Sequence, residues 1–175
     1  MVSQRFTLKD PPKYEALLAL ARRYPELDIA AVETCCAFLR TATSVYTVLD
    51  NHFADHELSM GKFTLLMLLF SSETGGLTPS DCADLAGITR ATVTGLLDGL
   101  TREGWVERKT HPDDRRRLII VLTAQGTTLL DQMLPRHFRL TTDLLQALSE
   151  DEKVQFQTLL QKLRDGALGL TEAGG

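Results

Sequence analysis

Residues 105–126, WVERKTHPDDRRRLIIVLTAQG, constrain the fold more than any other stretch of the chain. A first short strand, Trp105 to Lys109, is anchored by Trp105 and Val106 and turns Glu107, Arg108 and Lys109 to solvent. A second, Leu118 to Leu122, is an apolar, β-branched run of strand length. Between them His111, Pro112, Asp113 and Asp114 supply turn chemistry, since proline fixes φ and aspartate bonds its own backbone. Three consecutive arginines, Arg115, Arg116 and Arg117, follow. The segment predicts a β-hairpin with a cationic tip that runs straight into a helix capped by Thr123. Guanidinium groups held away from the core in this way are placed to reach a phosphate backbone. A solvated loop would show the same arginine run, so the flanking sequence has to decide.

Upstream, helical patterns dominate. A short amphipathic stretch, Pro12 to Tyr24, carries Leu17, Leu18 and Ala21 on one face and stops before Pro25, because the residue ahead of a proline avoids the helical region. A long helix follows from about Asp28 to His56, with Ile29, Val32, Cys36, Leu39, Thr43 and Tyr46 recurring at three- and four-residue steps. At roughly 40 Å it exceeds what a small domain needs, and such length serves a partner subunit. Ser59 caps a third helix with Phe63, Leu66, Met67 and Phe70 as its inward stripe, ended by Gly75-Gly76. Thr78-Pro79-Ser80-Asp81 then reads as an N-cap, a first-turn proline and a capping box with Asp for Glu. That helix, with Leu85 inward, ends at Gly87; Thr89 caps the next, which buries Val93, Leu96, Leu97 and Leu100 before Gly104. Two short helices joined by a glycine turn and followed by a hairpin amount to a winged helix-turn-helix. After it, Thr123 opens a helix reaching about Ala147, expected to bend or break near Pro135. Ser149-Glu150-Asp151-Glu152 is a full capping box for a last helix with Val154, Phe156, Leu159, Leu160 and Leu163. Gly166 to Gly175 should fray.

The expected fold class is mainly α with a small β-hairpin wing. It divides into an N-terminal extension with a short helix (1–27), a long dimerisation helix (28–58), the winged helix-turn-helix DNA-binding domain (59–122), C-terminal dimerisation helices (123–168) and a frayed tail (169–175). At 175 residues the chain can bury a real core. Its net charge of −4 argues against indiscriminate coating of nucleic acid, yet Arg90 to Arg117 holds seven Arg and Lys against five Asp and Glu. Such a split suits a protein that meets DNA through one face only. The N-terminus has no signal-like stretch, and the longest apolar run, Phe63 to Phe70, is far short of a membrane span; a cytoplasmic protein without membrane contact is expected. Cys35, Cys36 and Cys82 lack metal-type spacing and read as small buried side chains, with a thiol sensor as the alternative.

On these residues the chain resembles the MarR family of transcriptional regulators. The resemblance is carried by Asp114-Arg115-Arg116, then Leu118-Ile119-Ile120-Val121-Leu122-Thr123 and Ala124-Gln125-Gly126, and by the helix order over residues 28 to 168. The C-terminal part, LPRHFRLTTDLLQALSEDEKVQFQTLLQKL, looks most like the subgroup that represses multidrug-efflux genes, typified by EmrR (MprA). The resemblance implies a homodimer on a pseudo-palindromic double-stranded operator. The recognition helix becomes Thr89 to Glu103, presenting Arg90, Ala91, Thr94 and Gly95 to the major groove with Thr92 close by. Arg90 would bond bidentately to guanine. Many relatives are basic or polar where this chain has Gly95 and Gly99, which shifts weight onto the wing. There the family pattern makes Asp114 a brace and Arg116 the residue entering the minor groove, with Arg115 and Arg117 as phosphate contacts or alternates. Ser80, in the first turn of the preceding helix, would meet a phosphate.

The resemblance further implies a small aromatic or lipophilic effector that releases DNA, with Tyr46, Phe63 and Met67 as cleft candidates that also lie on inward stripes. A metal-responsive alternative rests on His52-Phe53-Ala54-Asp55-His56, which puts two imidazoles at i and i+4 with a carboxylate between. No phosphate-cradling glycine loop, nucleophile elbow or spaced carboxylate pair appears. No enzymatic activity and no cofactor are expected.

Overall fold

The computed structural model describes residues 12, 14–73, 75–110 and 117–173. Along them run α1 (Tyr14–Arg23), α2 (Ile29–Ala54), α3 (Met60–Phe70), α4 (Pro79–Ala86), α5 (Arg90–Arg102), β1 (Val106–Thr110), β2 (Leu118–Leu122), α6 (Ala124–Leu144) and α7 (Glu150–Ala173). The chain forms two compact units that meet inside α6: one ends at Leu129, the other begins at Leu130. Segments 28–58 and 59–122 therefore belong to one unit.

Local chemistry sets the helix starts. Asp28, Ser59 and Thr89 each accept a hydrogen bond from the backbone N–H three residues on, at 3.0, 3.3 and 3.2 Å. Thr78 and Asp81 close the expected capping box: the Asp81 N–H donates to Thr78 Oγ1 at 3.1 Å while the Thr78 N–H donates to Asp81 Oδ2 at 3.1 Å. Ser149 and Glu152 repeat it at the head of α7, and the Ser149 backbone and hydroxyl donors hold the Glu152 carboxyl below its ordinary range. Gly87 and Gly104 terminate α4 and α5 with φ of 65° and 76°, the left-handed conformation that spares glycine a Cβ clash.

β1 and β2 pair antiparallel, Val106 opposite Leu122 and Thr110 opposite Leu118. The other edge of β2 receives Leu77: its N–H donates to Ile120 O at 3.0 Å, and the Ile120 N–H returns a bond to Leu77 O at 2.7 Å. The segment leading into α4 thus covers an edge that would otherwise expose unpaired backbone groups. At the base of the hairpin the Thr123 hydroxyl donates to Gly104 O at 2.6 Å, the Thr123 N–H to Trp105 O at 3.1 Å, and the Gly126 N–H to Thr123 Oγ1 at 3.0 Å. Gly126 lies so close that a Cβ there would fall 2.2 Å from the Trp105 carbonyl oxygen.

The core of the first unit gathers Phe53, Phe63, Leu65, Leu66, Leu69, Cys82, Val93, Leu97, Leu100, Val106 and Ile120. α3 runs through its middle, against α2, α4, α5 and β2. It is buried on more than one face, which is why Leu65 and Leu69 are inside although one amphipathic stripe left them out. Phe70, assigned to that stripe, is 44% exposed at the last position of α3, and Met67 is half-buried. Leu85 is likewise turned out, 61% exposed. The inward side of α4 consists of the small residues Cys82 and Ala83, which let its backbone approach closely, and Leu85 lies beyond their edge. Leu96 is half-buried.

Other expectations are corrected in the same way. α3 stops at Phe70, ahead of Gly75-Gly76, and α6 stops at Leu144. α6 continues through Pro135 without a break. The one bond that proline removes would have gone to the carbonyl of exposed Asp131, where water can replace it. α7 stays helical through Gly166 and Gly169 to Ala173 instead of fraying from Gly166. Cys82 is fully buried, but Cys35 is exposed and Cys36 half-buried, because α2 covers little of its own stripe within one chain.

Two measurements probe this packing. Gly126→Ala should cost about 3 kcal/mol or abolish folding, whereas Gly95→Ala, with nothing within 4 Å of the added methyl group, should stabilise by about 0.5–1 kcal/mol. Urea unfolding of both variants checks the contrast, and a wild-type midpoint for Gly126→Ala would contradict the close approach. Burial, aided by neighbouring Asp81, pushes the Cys82 thiol up to about 11. It should resist alkylation at pH 8 in the native protein and react once unfolded, as read by mass spectrometry.

Candidate nucleic-acid interface

α5 is pinned by its apolar side, through Val93, Leu97 and Leu100, and its other side faces solvent. Arg90, Ala91, Thr92, Thr94 and Gly95 are all exposed there. Arg90 and Thr94 lie one turn apart on one strip. The Thr94 hydroxyl donates to Arg90 O at 2.9 Å, which leaves its oxygen free to accept. The Thr92 hydroxyl is 2.9 Å from that of Thr89, so it belongs to the cap as much as to the exposed face. Gly95 opens onto empty space.

Gly99 is placed differently from what its pairing with Gly95 implied. It is buried, and a Cβ there would meet Lys62 Cε of α3 at 3.3 Å. The Lys62 ammonium passes through this notch to pair with Glu103 Oε1 at 2.5 Å and to stand 5.7 Å from the centre of the Trp105 ring. Gly99 makes room for a strut between α3 and the end of α5 and is not a readout position.

A second ion pair escaped the sequence reading. Arg108 Nη2 of β1 bonds to Asp98 Oδ1 of α5 at 2.5 Å, with both side chains about half exposed. Alternation along β1 sends Arg108 to the side of buried Val106, toward α5, while Glu107 and Lys109 pair with each other at 2.7 Å on the opposite side. The signal was present in the spacing: Asp98 follows Thr94 by four residues and Arg90 by eight, on the same exposed strip.

Arg117 is exposed at the start of β2. Asp114, Arg115 and Arg116 lie outside the described residues. Ser80 is half-buried in the first turn of α4, where the Asp81 carboxylate already supplies a negative charge to the helix N-terminus. Of the cleft candidates, Phe63 stacks on Phe53 at 4.5 Å within the core, Met67 is half-buried one turn further along α3, and Tyr46 is exposed on α2. His52 is buried rather than on the surface, with the His56 ring edge-on at 5.8 Å. Among the described residues no group of three or more His, Cys, Asp or Glu side chains is arranged to hold a metal ion. Nor is any helix among them long and apolar enough to cross a membrane.

Comparison with known proteins matches residues 58–118 to the MarR family profile. These residues run from the turn before α3 into β2. Over 156 residues, 89% of this chain and 93% of the relative, the sequence is 37% identical to the HTH-type transcriptional repressor YetL of Bacillus subtilis. It is 35% identical over 101 residues, 58% of this chain and 57% of the relative, to the transcriptional repressor MprA of Escherichia coli. The MprA match is thus shorter and no higher in identity, and it does not set a multidrug-efflux subgroup apart. Among solved structures, the Staphylococcus aureus MepR–DNA complex superposes with a TM-score of 0.68 at 24% identity, covering 76% of this chain and 95% of that one. The chain belongs to the MarR family of winged helix-turn-helix transcriptional regulators.

Proposed function

We propose that the chain is one protomer of a homodimeric repressor that holds a pseudo-palindromic double-stranded DNA operator and releases it when a small aromatic or lipophilic molecule binds. The exposed strip of α5, beside two strands whose connecting sequence holds Arg115, Arg116 and Arg117, is the observation that carries this reading. A helix of this width fits the major groove, and Arg90 offers two parallel donors to the O6 and N7 of guanine, worth about 1–3 kcal/mol of discrimination. Ala91 and Gly95 allow close approach, and Thr94 supplies an acceptor and, on rotation, a donor. At the wing, Asp114 braces Arg116 for the minor groove while Arg115 and Arg117 meet phosphates or take its place there; Ser80 adds a backbone contact on the other flank.

The dimer follows from surface that one chain leaves uncovered. Phe38, Leu39 and Val48 of α2 and Val154, Phe156, Leu159 and Leu163 of α7 are all exposed, more apolar area than a soluble monomer ordinarily shows. Repression is the role named for YetL and MprA. An effector acts by binding more tightly to a dimer whose recognition helices no longer match the operator spacing. With Tyr46, Phe63 and Met67 near such a site, a planar aromatic acid is the favoured chemistry.

Sedimentation at micromolar concentration should give twice the 19.4 kDa chain mass; a monodisperse monomer would contradict the dimer. In a mobility-shift titration, salicylate or a lipophilic phenol should free the DNA, since a ~100-fold preference at each of two sites couples by about 5 kcal/mol. Zinc and a chelator run in parallel should have no effect. Release by either, with no response to aromatic compounds, would favour the His52 and His56 reading instead.

A further inference from the structure

Asp98 is a carboxylate on the face of α5 that the proposed function turns toward DNA, between Thr94 and Arg102 along the exposed strip. A negative charge there opposes binding to any phosphate backbone, and an exposed pair such as Asp98 with Arg108 adds almost nothing to folding. Neither stability nor raw affinity accounts for it. What the pair does is hold one guanidinium. Arg108 extends from β1 on the side of the sheet that faces α5, so its charge lies between the recognition helix and the wing.

We propose that Asp98 is a specificity-determining residue: it clamps Arg108 away from the phosphate backbone, so that DNA without the right bases gains no contact from this arginine. Two features support the clamp over a simple structural brace. The wing already has its brace at the hairpin base, through Thr123 on Gly104 and Trp105 and through Leu77 on Ile120, with better-buried groups than this pair. Lys62 and Glu103 separately fix the end of α5. The Asp98 oxygen not bonded to Arg108 retains acceptor capacity, and a carboxylate in the major groove finds its donor in the N4 amine of cytosine. On a site offering that amine, the carboxylate's repulsion of the backbone is offset by a base contact. On other sequence it is not, and Arg108 stays neutralised. Selectivity then arises from suppressed non-specific binding as well as from Arg90.

This inference rests on the placement of α5 in the major groove, and the test separates the two. A duplex enriched from random DNA by the full-length wild-type protein and a shuffled duplex of the same composition serve as probes, titrated from about 50 to 200 mM salt. Asp98→Asn should tighten binding to the shuffled duplex several-fold at the low-salt end and steepen its salt slope by about 0.9 per protomer, as one more phosphate is contacted. The ratio of enriched to shuffled affinity should fall. Arg108→Gln added to Asp98→Asn should erase the gain, and thermal midpoints should stay at the wild-type value. Unchanged or weaker binding of Asp98→Asn to the shuffled duplex would overturn the clamp. So would a gain that survives in the double variant, which would make Asp98 a plain repulsive charge. Arg90→Ala is the control: if it leaves the ratio intact, the major-groove reading falls and the clamp with it, whereas a lost ratio there beside a silent Asp98→Asn sinks the clamp alone.

Discussion

The contact between Gly126 and the Trp105 carbonyl is the joint on which the rest of the first unit hangs. It brings the beginning of α6 against the residue that leaves α5 and enters β1, at a separation no side chain tolerates. Thr123 locks the same spot with three hydrogen bonds, two to Gly104 and Trp105 in the turn between α5 and β1 and one from Gly126 itself. Because Trp105 also donates its N–H to Leu100 O, the last turn of α5, the root of the hairpin and the first turn of α6 are tied together by hydrogen bonds. The Leu-Thr…Gly sequence pattern is thus a packing requirement: threonine because its hydroxyl both donates and accepts, glycine because backbone must touch backbone.

α3 reinforces this joint from the opposite side. Lys62 threads past Gly99 to Glu103 and the face of Trp105, and the next residue, Phe63, stacks on Phe53 of α2. One helix thus carries a strut to the end of α5 and a ring against the long helix. That adjacency gives the proposed effector response a physical route. A ligand that shifts Phe63 or Met67 bears on the helix that positions Lys62, and through Glu103 on the end of α5. The coupling needs no long chain of intermediates.

What could be read in the sequence was what is local. Thr78 with Asp81, Thr89, Ser59, Ser149 with Glu152 and the terminating Gly87 and Gly104 were legible because a cap depends on residues within one turn. Direction of burial was harder. Leu85 and Phe70 were placed inward on periodicity, but which side of a short helix is covered depends on neighbours far along the chain, and α3 has neighbours on several sides. Pro135 was read as a bend or a break because its cost was judged from the helix alone; with its lost partner at the solvent-exposed Asp131, the helix continues unbroken. On the solvent side of α5 the exposure of Arg90 and Thr94 was legible from helical spacing, while Gly99 was misread and Asp98 and Arg108 were missed. Pairing between a helix and a strand ten residues apart becomes visible only once the strand's alternation is fixed by Val106.

Charge on this face is accordingly less available than a count of basic residues implies. Lys62 and Arg108 each have a carboxylate partner at α5 or its end, and on the other side of the hairpin Lys109 is paired with Glu107. In the proposed complex, attraction to DNA then falls to Arg90 and to Arg115, Arg116 and Arg117 of the sequence between β1 and β2. Two separated points of attachment per protomer hold a helix in one register far better than a continuous basic strip, along which a duplex could slide at little cost. In the proposed dimer the two-fold axis would multiply that constraint, making the distance between the protomers' α5 helices the quantity that decides binding. An effector that altered this distance by a fraction of a helical turn of DNA would then control the proposed repressor without touching a DNA contact.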